Sequence, residues 1–180
     1  MRRNQYEEIR DRVLAYFTQA HIIITEVEKA AVEVADFGLE DFEQVGLSLI
    51  TYVNTERCCA KELVLFPGQT CPEHLHPSIG GYPGKEETFR VRYGKVYLYV
   101  DGEPTEEIRG HVPENGSQYY TAGKEIILYP GQQFTLTPNT RHWFQAGEEG
   151  AVVSEFSTTS YDEADIFTDV RIKRIPSIEG

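Results

Sequence analysis

Apolar positions along the chain follow two periods. Tyr6, Ile9, Val13 and Phe17 recur at spacings of three and four, which lines one face of an α-helix. The stretch NQYEEIRDRVLAYFTQA is therefore predicted as a helix, capped by Asn4 with Glu7 three residues on. Up to about residue 43 the signals are mixed, short helical and extended, and no element is assigned. From Val45 the period changes. GLSLITYV, CCAKELVLF, TFRVRYGKVYLYV, KEIILY, QFTLTP and AVVSEF are short β-branched and aromatic runs, separated by PGQ, DGEP, ENGS, AGK and AGEEG. Such runs between glycine, proline and asparagine turns predict an all-β sandwich or barrel. The last stretch, DVRIKRIPSIEG, reads as a returning edge strand whose Arg and Lys residues are solvated.

The strand period gives the histidines a meaning. In CPEHLHPSIGGYPGKEETFRVRYG, residues 71–94, His74 and His76 stand two apart, and side chains at i and i+2 of a strand share a face. On an edge strand they are two surface histidines, the commoner fate of a bare His-x-His. Inside a small barrel they bring two imidazoles together in an apolar cavity, where a divalent metal is an economical partner. Parity also marks Lys61, which shares a face with Leu63 and Leu65, and Glu155, which shares one with Val153. A charge in an apolar-facing register is costly unless paired or working. A strand end in water at the rim, or a Lys61–Glu155 pair, satisfies the same pattern.

Composition narrows the partners. The 180 residues fit one domain with a substantial core. A formal charge of −12 argues against nucleic acid or an anionic membrane as the main partner, since both ask for a basic patch. It fits a small uncharged substrate. The N-terminus lacks the apolar core of a signal peptide, and no apolar run approaches the roughly 20 residues that span a bilayer. Cys58, Cys59 and Cys71 form neither a disulfide framework nor a CxxC pair. A reducing cytoplasm is the expected home.

Glycine spacing makes the histidine pattern specific. Gly68 precedes His74 with five residues between them, Glu87 precedes Gly94 with six, and Gly131 stands eleven before His142 with Pro138 in the turn. This resembles the two cupin motifs, over residues 45 to 157. The resemblance implies a mainly β, single-domain jelly-roll barrel (a double-stranded β-helix) at 45–180, with residues 1–44 a helical extension packed on it. It also implies a ligand set of His74, His76, Glu87 and His142. Glu87 keeps the register to Gly94, which leaves Glu86 to solvent or the loop. Three His and one Glu suit manganese, iron, nickel, zinc or cobalt. Cys71, in CxxH spacing with His74, reads as a small buried cysteine instead. The chain departs from the pattern in the ten residues between His76 and Glu87, in a Pro138 one place late, and in Ala146 where an Asn is usual.

The longer stretch YVNTERCCAKELVLFPGQTCPEHLHPSIGGYPGKEETFRVRYGKVYLYVDG resembles the D-lyxose ketol-isomerase family of sugar-isomerising cupins. The likeness includes the ten-residue gap, GKEETFR, and SEFST after the third histidine. It implies an aldose–ketose isomerase that interconverts D-lyxose with D-xylulose, and often D-mannose with D-fructose, through a cis-enediol. It further implies a divalent metal, typically manganese, and a homodimer. Lys61 and Glu155 are then the expected acid/base pair, with the proton-abstracting member left open. Lys85 and the two aspartates Asp162 and Asp165 are candidates for sugar hydroxyls; a solvated loop lysine and a polar turn explain them equally well. Trp143 and Phe144 read as barrel packing, and His21 and His111 receive no role. The rivals are a metal cupin dioxygenase, a phosphosugar isomerase, and a cupin that binds sugar without reacting.

Overall fold

The computed structural model describes residues 1–175 and 178. The first helix, α1, runs Arg3–Gln19 and buries Ile9, Val13 and Phe17. Its cap differs from expectation. Arg2 occupies the cap position, and its backbone N–H donates to Gln5 Oε1 at 3.1 Å. Asn4 lies inside the first turn, because Gln5 is the residue whose side chain reaches back to the free N–H. A short helix, α2, follows at Glu26–Ala30.

Among the described residues nine strands form one curled sheet: β1 Glu33–Ala35, β2 Leu47–Asn54, β3 Cys59–Leu65, β4 Thr70–Leu75, β5 Glu87–Val100, β6 Lys124–Leu128, β7 Gln133–Leu136, β8 His142–Ser157 and β9 Ile166–Phe167. All the named pairings are antiparallel. β1 lies in the segment left unassigned by pattern and pairs with β2. Residues 169–175, expected at an edge, form no strand; 176, 177, 179 and 180 of that stretch lie outside the described residues.

The two long strands make the jelly roll. The second half of β8 pairs with β3 through Cys59↔Ser157 to Leu65↔Ala151, and its first half pairs with β4 through Thr70↔Gln145 and His74↔His142. β5 likewise pairs β7 with its first residues and β6 with its last. The change of partner occurs at a bulge around Gly94, where φ is +69° and an added Cβ would lie 1.9 Å from the Gly150 carbonyl oxygen. Only glycine fits that close approach.

Burial on both faces explains why the second half of β3, Leu63 to Leu65, reads as an unbroken apolar run. Leu63 and Leu65 join the barrel interior with Val91, Leu98, Phe144 and Val153. Val64 faces outward and packs with Ile50, Val152 and the buried stripe of α1.

Candidate metal and active site

The ends of three strands, β4, β5 and β8, meet at one mouth of the barrel. His74 lies in β4 opposite His142, the first residue of β8. His76 follows one residue after β4 ends, and Glu87 opens β5. His74, His76 and His142 are buried, and one ring nitrogen of each lies within 4.8 Å of the others.

The outer nitrogens fix the tautomers. His74 Nδ1 lies 2.8 Å from the Pro72 carbonyl oxygen and His142 Nδ1 2.9 Å from that of Thr140. A carbonyl only accepts, so both Nδ1 atoms carry the proton and both Nε2 atoms present lone pairs. His76 Nδ1 stands 2.5 Å from Asp165 Oδ1. Each imidazole is thus oriented by an acceptor behind it, the arrangement that aims histidines at a metal.

In front of the rings stands Glu87, whose Oε1 lies 3.0 Å from His76 Nε2 and 3.1 Å from His142 Nε2. The buried His142 Nε2 makes no hydrogen bond among the described residues. Lone pairs facing a carboxylate oxygen at this distance call for a positive charge between them. Without a metal, one source is a second proton on His76. Burial opposes that proton, but Glu87 and Asp165 outweigh burial and raise the imidazole to about 9. Burial and the two neighbouring imidazoles push His74 well below its ordinary value, so it stays neutral. The donor set, with Nε2 atoms deprotonated and convergent, fits a divalent metal.

Around this core lie two lysines with different partners. Lys61 and Glu155 are opposite each other across β3 and β8, but they do not bond each other. Lys61 Nζ donates to Asp162 Oδ1 at 2.8 Å, Asp162 Oδ2 at 2.7 Å and Ser160 Oγ at 3.1 Å. Lys85 is only 5% exposed. It reaches Glu87 Oε2 at 2.8 Å and Glu155 Oε1 at 2.5 Å. Burial opposes its charge, but the two carboxylates prevail and hold it well above the usual lysine range. Glu87 is the mirror case: burial opposes ionisation, yet Lys85 and His76 hold it well below the usual carboxylate range. Glu86 is exposed.

Asp162 and Asp165 also line this cavity, alongside Phe37, Leu49 and Phe167. Burial works against the Asp162 charge, and Lys61 and Arg174 reverse that, lowering its carboxyl well below the usual range. Arg174 is the residue pattern reading missed. Expected as a solvated edge charge, its guanidinium is largely buried, bonded to Glu33 Oε1 at 2.5 Å and Asp162 Oδ2 at 3.0 Å. Nothing local marks it, because both partners are distant in sequence. Cys71 is buried in the core, where burial pushes its thiol up. Phe144 packs in the core and Trp143 stacks on Tyr99 at 3.8 Å. His21 and His111 are exposed.

A curled antiparallel barrel with three convergent histidines at one mouth is a cupin fitted for a divalent metal. The profile described as D-lyxose isomerase matches residues 16–180, and the chain belongs to the D-lyxose isomerase family. It is 62% identical to the D-lyxose/D-mannose isomerase of Thermosediminibacter oceani over 99% of each chain. It is 58% identical to the D-lyxose ketol-isomerase of Cohnella laeviribosi, over 99% of this chain and 98% of that one. Among solved structures, the ligand-free L-ribose isomerase of Cellulomonas parahominis shares the fold with a TM-score of 0.80 at 15% identity, over 99% of this chain and 98% of that one.

Proposed function

We propose that the chain is a metal-dependent aldose–ketose isomerase that interconverts D-lyxose with D-xylulose, and D-mannose with D-fructose, through a cis-enediol. The observation that carries this reading is the set of Nε2 lone pairs converging on Glu87 at a mouth that also holds Glu155, Lys61 and Lys85. His74, His76, His142 and Glu87 would hold the metal, manganese by the family resemblance. When bound, it supplies Lewis acidity to the carbonyl and neighbouring hydroxyl of an open-chain sugar.

Glu155 moves the proton between C2 and C1. Lys61 already donates to three oxygens, so its ammonium has no lone pair to accept a proton. It serves instead to hold Asp162 and Ser160 in place. Lys85, between Glu155 and Glu87, would donate to the sugar oxygens that exchange their proton as the double bond forms. Asp162 and Asp165 face the remaining hydroxyls. The family resemblance further supports a homodimer, and the free cysteines Cys58, Cys59 and Cys71 support a reducing cytoplasm.

Ketose formation from D-lyxose and D-mannose, measured before and after chelation with manganese then restored, tests this. Conversion that stops with chelator and returns with manganese is expected. Conversion unaffected by removal of metal would overturn the mechanism. No conversion of either sugar by metal-loaded protein would overturn the substrate assignment.

A further inference from the structure

Glu73 stands one residue before His74 on β4, and neighbouring side chains of a strand point to opposite faces. It is 1% exposed and lies outside the set of residues that line the cavity. Its carboxylate nevertheless gathers donors from two other segments. Oε2 accepts from the backbone N–H groups of Thr121 at 2.5 Å and Ala122 at 2.7 Å; Oε1 accepts from Thr121 Oγ1 at 2.9 Å and Thr168 Oγ1 at 2.6 Å. Its own carbonyl accepts from the Thr168 N–H at 3.1 Å. Arg141 Nε stands further off, at 3.8 Å. Four donors on a buried carboxylate are strong and expensive to disturb.

Both tied segments lead to the histidines. Thr168 follows Phe167, whose ring lies 5.4 Å from that of His74, and comes three residues after Asp165, which takes the His76 Nδ1 proton. The strand that carries Phe167, β9, is two residues long, with Ile166 54% exposed; so short a strand has little hold of its own. On the other side, the Ala122 carbonyl accepts from Trp143 Nε1 at 2.9 Å, beside His142. We propose that Glu73 is a positioning residue for the histidine site. By holding Thr168 it sets Asp165 behind His76 and Phe167 against His74, and by holding Ala122 it steadies the start of β8 from which His142 projects. This rests on the reading of the three histidines as a metal site.

The test uses cobalt(II) as a probe, in the full chain of Thr168→Val, Thr168→Ser and Glu73→Gln. Thr168→Val keeps the shape and removes only the hydroxyl, while Glu73→Gln sets an NH₂ donor among N–H donors. Affinity is read by competition with a chelator, and ligand geometry by the visible absorption of the bound cobalt, which global stability does not move. Thr168→Val is expected to weaken cobalt binding about tenfold and to alter the spectrum, with Thr168→Ser restoring both. Glu73→Gln should do at least as much. A folded Thr168→Val with the parent affinity and spectrum would overturn the proposal, even if Glu73→Gln fails to fold. A parent protein that binds no cobalt would instead overturn the metal reading itself, and this proposal with it.

Discussion

Along β3, Lys61 and then Leu63 face the barrel interior; along β8, Glu155 and then Val153 do the same, and the two strands pair in register as Lys61↔Glu155 and Leu63↔Val153. One step of the strand period therefore separates a row of charges from a row of branched apolar side chains. The mouth holds Lys61, His74, His76, Lys85, Glu87, His142 and Glu155, all buried. The far end holds Leu65, Val91, Val96, Leu98 and Val153, buried as deeply. Burial is thus common to both ends, and pairing separates them. Every lysine and carboxylate at the mouth has an opposite charge or several donors in contact, as a buried charge requires. The far end supplies the apolar packing that holds the barrel together.

The comparison breaks most directly at the mouth. His74→Ala should leave a fold that melts cooperatively but retains no divalent metal after dialysis, with isomerase activity lost. Metal content by elemental analysis decides it; a variant that keeps metal and activity would mean His74 is not a ligand. Next in size is Glu155→Gln. It keeps the shape of the pocket and removes the carboxylate proposed as the base, so activity should fall about 10²- to 10⁴-fold while metal content stays at the parent level. A loss of metal together with activity would instead place Glu155 in the ligand set.

A change at the far end should separate stability from chemistry. Leu98 is fully buried on β5, opposite Ile126 on one side and Phe144 on the other. Leu98→Ala should cost about 2–5 kcal/mol of stability in urea unfolding. The protein that remains folded at low temperature should bind metal as the parent does. Weakened metal affinity there would show that the two ends are coupled rather than divided.

Strand parity made the division partly readable in the chain. It identified Lys61 and Glu155, because each sits in a strand whose next inward residue is apolar, and it aligned His74 and His76. The glycine spacing that pointed to Glu87 reflects a physical demand, the close approach at Gly94. Parity has no purchase outside strands, so the burial of Lys85 at the end of a glycine-rich loop and of Arg174 in the last segment went unread. Partner choice is also non-local: Lys61 meets Asp162, 101 residues away, instead of the Glu155 opposite it. Within β8 the stretch AGEEG, 146–150, reads as a turn because of its glycines and glutamates. In the structure residues 147–150 bulge out between the pairs Val96↔Ala146 and Gly94↔Ala151, so one strand passes through a stretch with turn composition.

The smallest expected effect comes from the residue next to Lys61 on the opposite face. Glu62 is buried outside the barrel interior, accepts from Ser154 Oγ at 2.7 Å, and leaves Oε2 without a hydrogen bond among the described residues. Burial raises its carboxyl above the usual glutamate range, and Ser154 and Arg92 offset this only in part. The folded state therefore binds this proton more tightly than the unfolded chain. The stabilisation is complete below the ordinary glutamate value, about 4.3, is lost as pH rises through the raised folded value, and changes no further above it. Glu62→Gln cannot ionise and should lack that loss. At neutral pH it should be more stable than the parent by about 1 kcal/mol, with the difference closing as pH falls below about 4. Urea midpoints across that range measure it. If Glu62→Gln is instead the less stable protein at neutral pH, the charge is fully supported where it stands. Adequate pairing would then not be special to the mouth, and the contrast between Lys61 and its neighbour would reduce to which face of β3 each one takes.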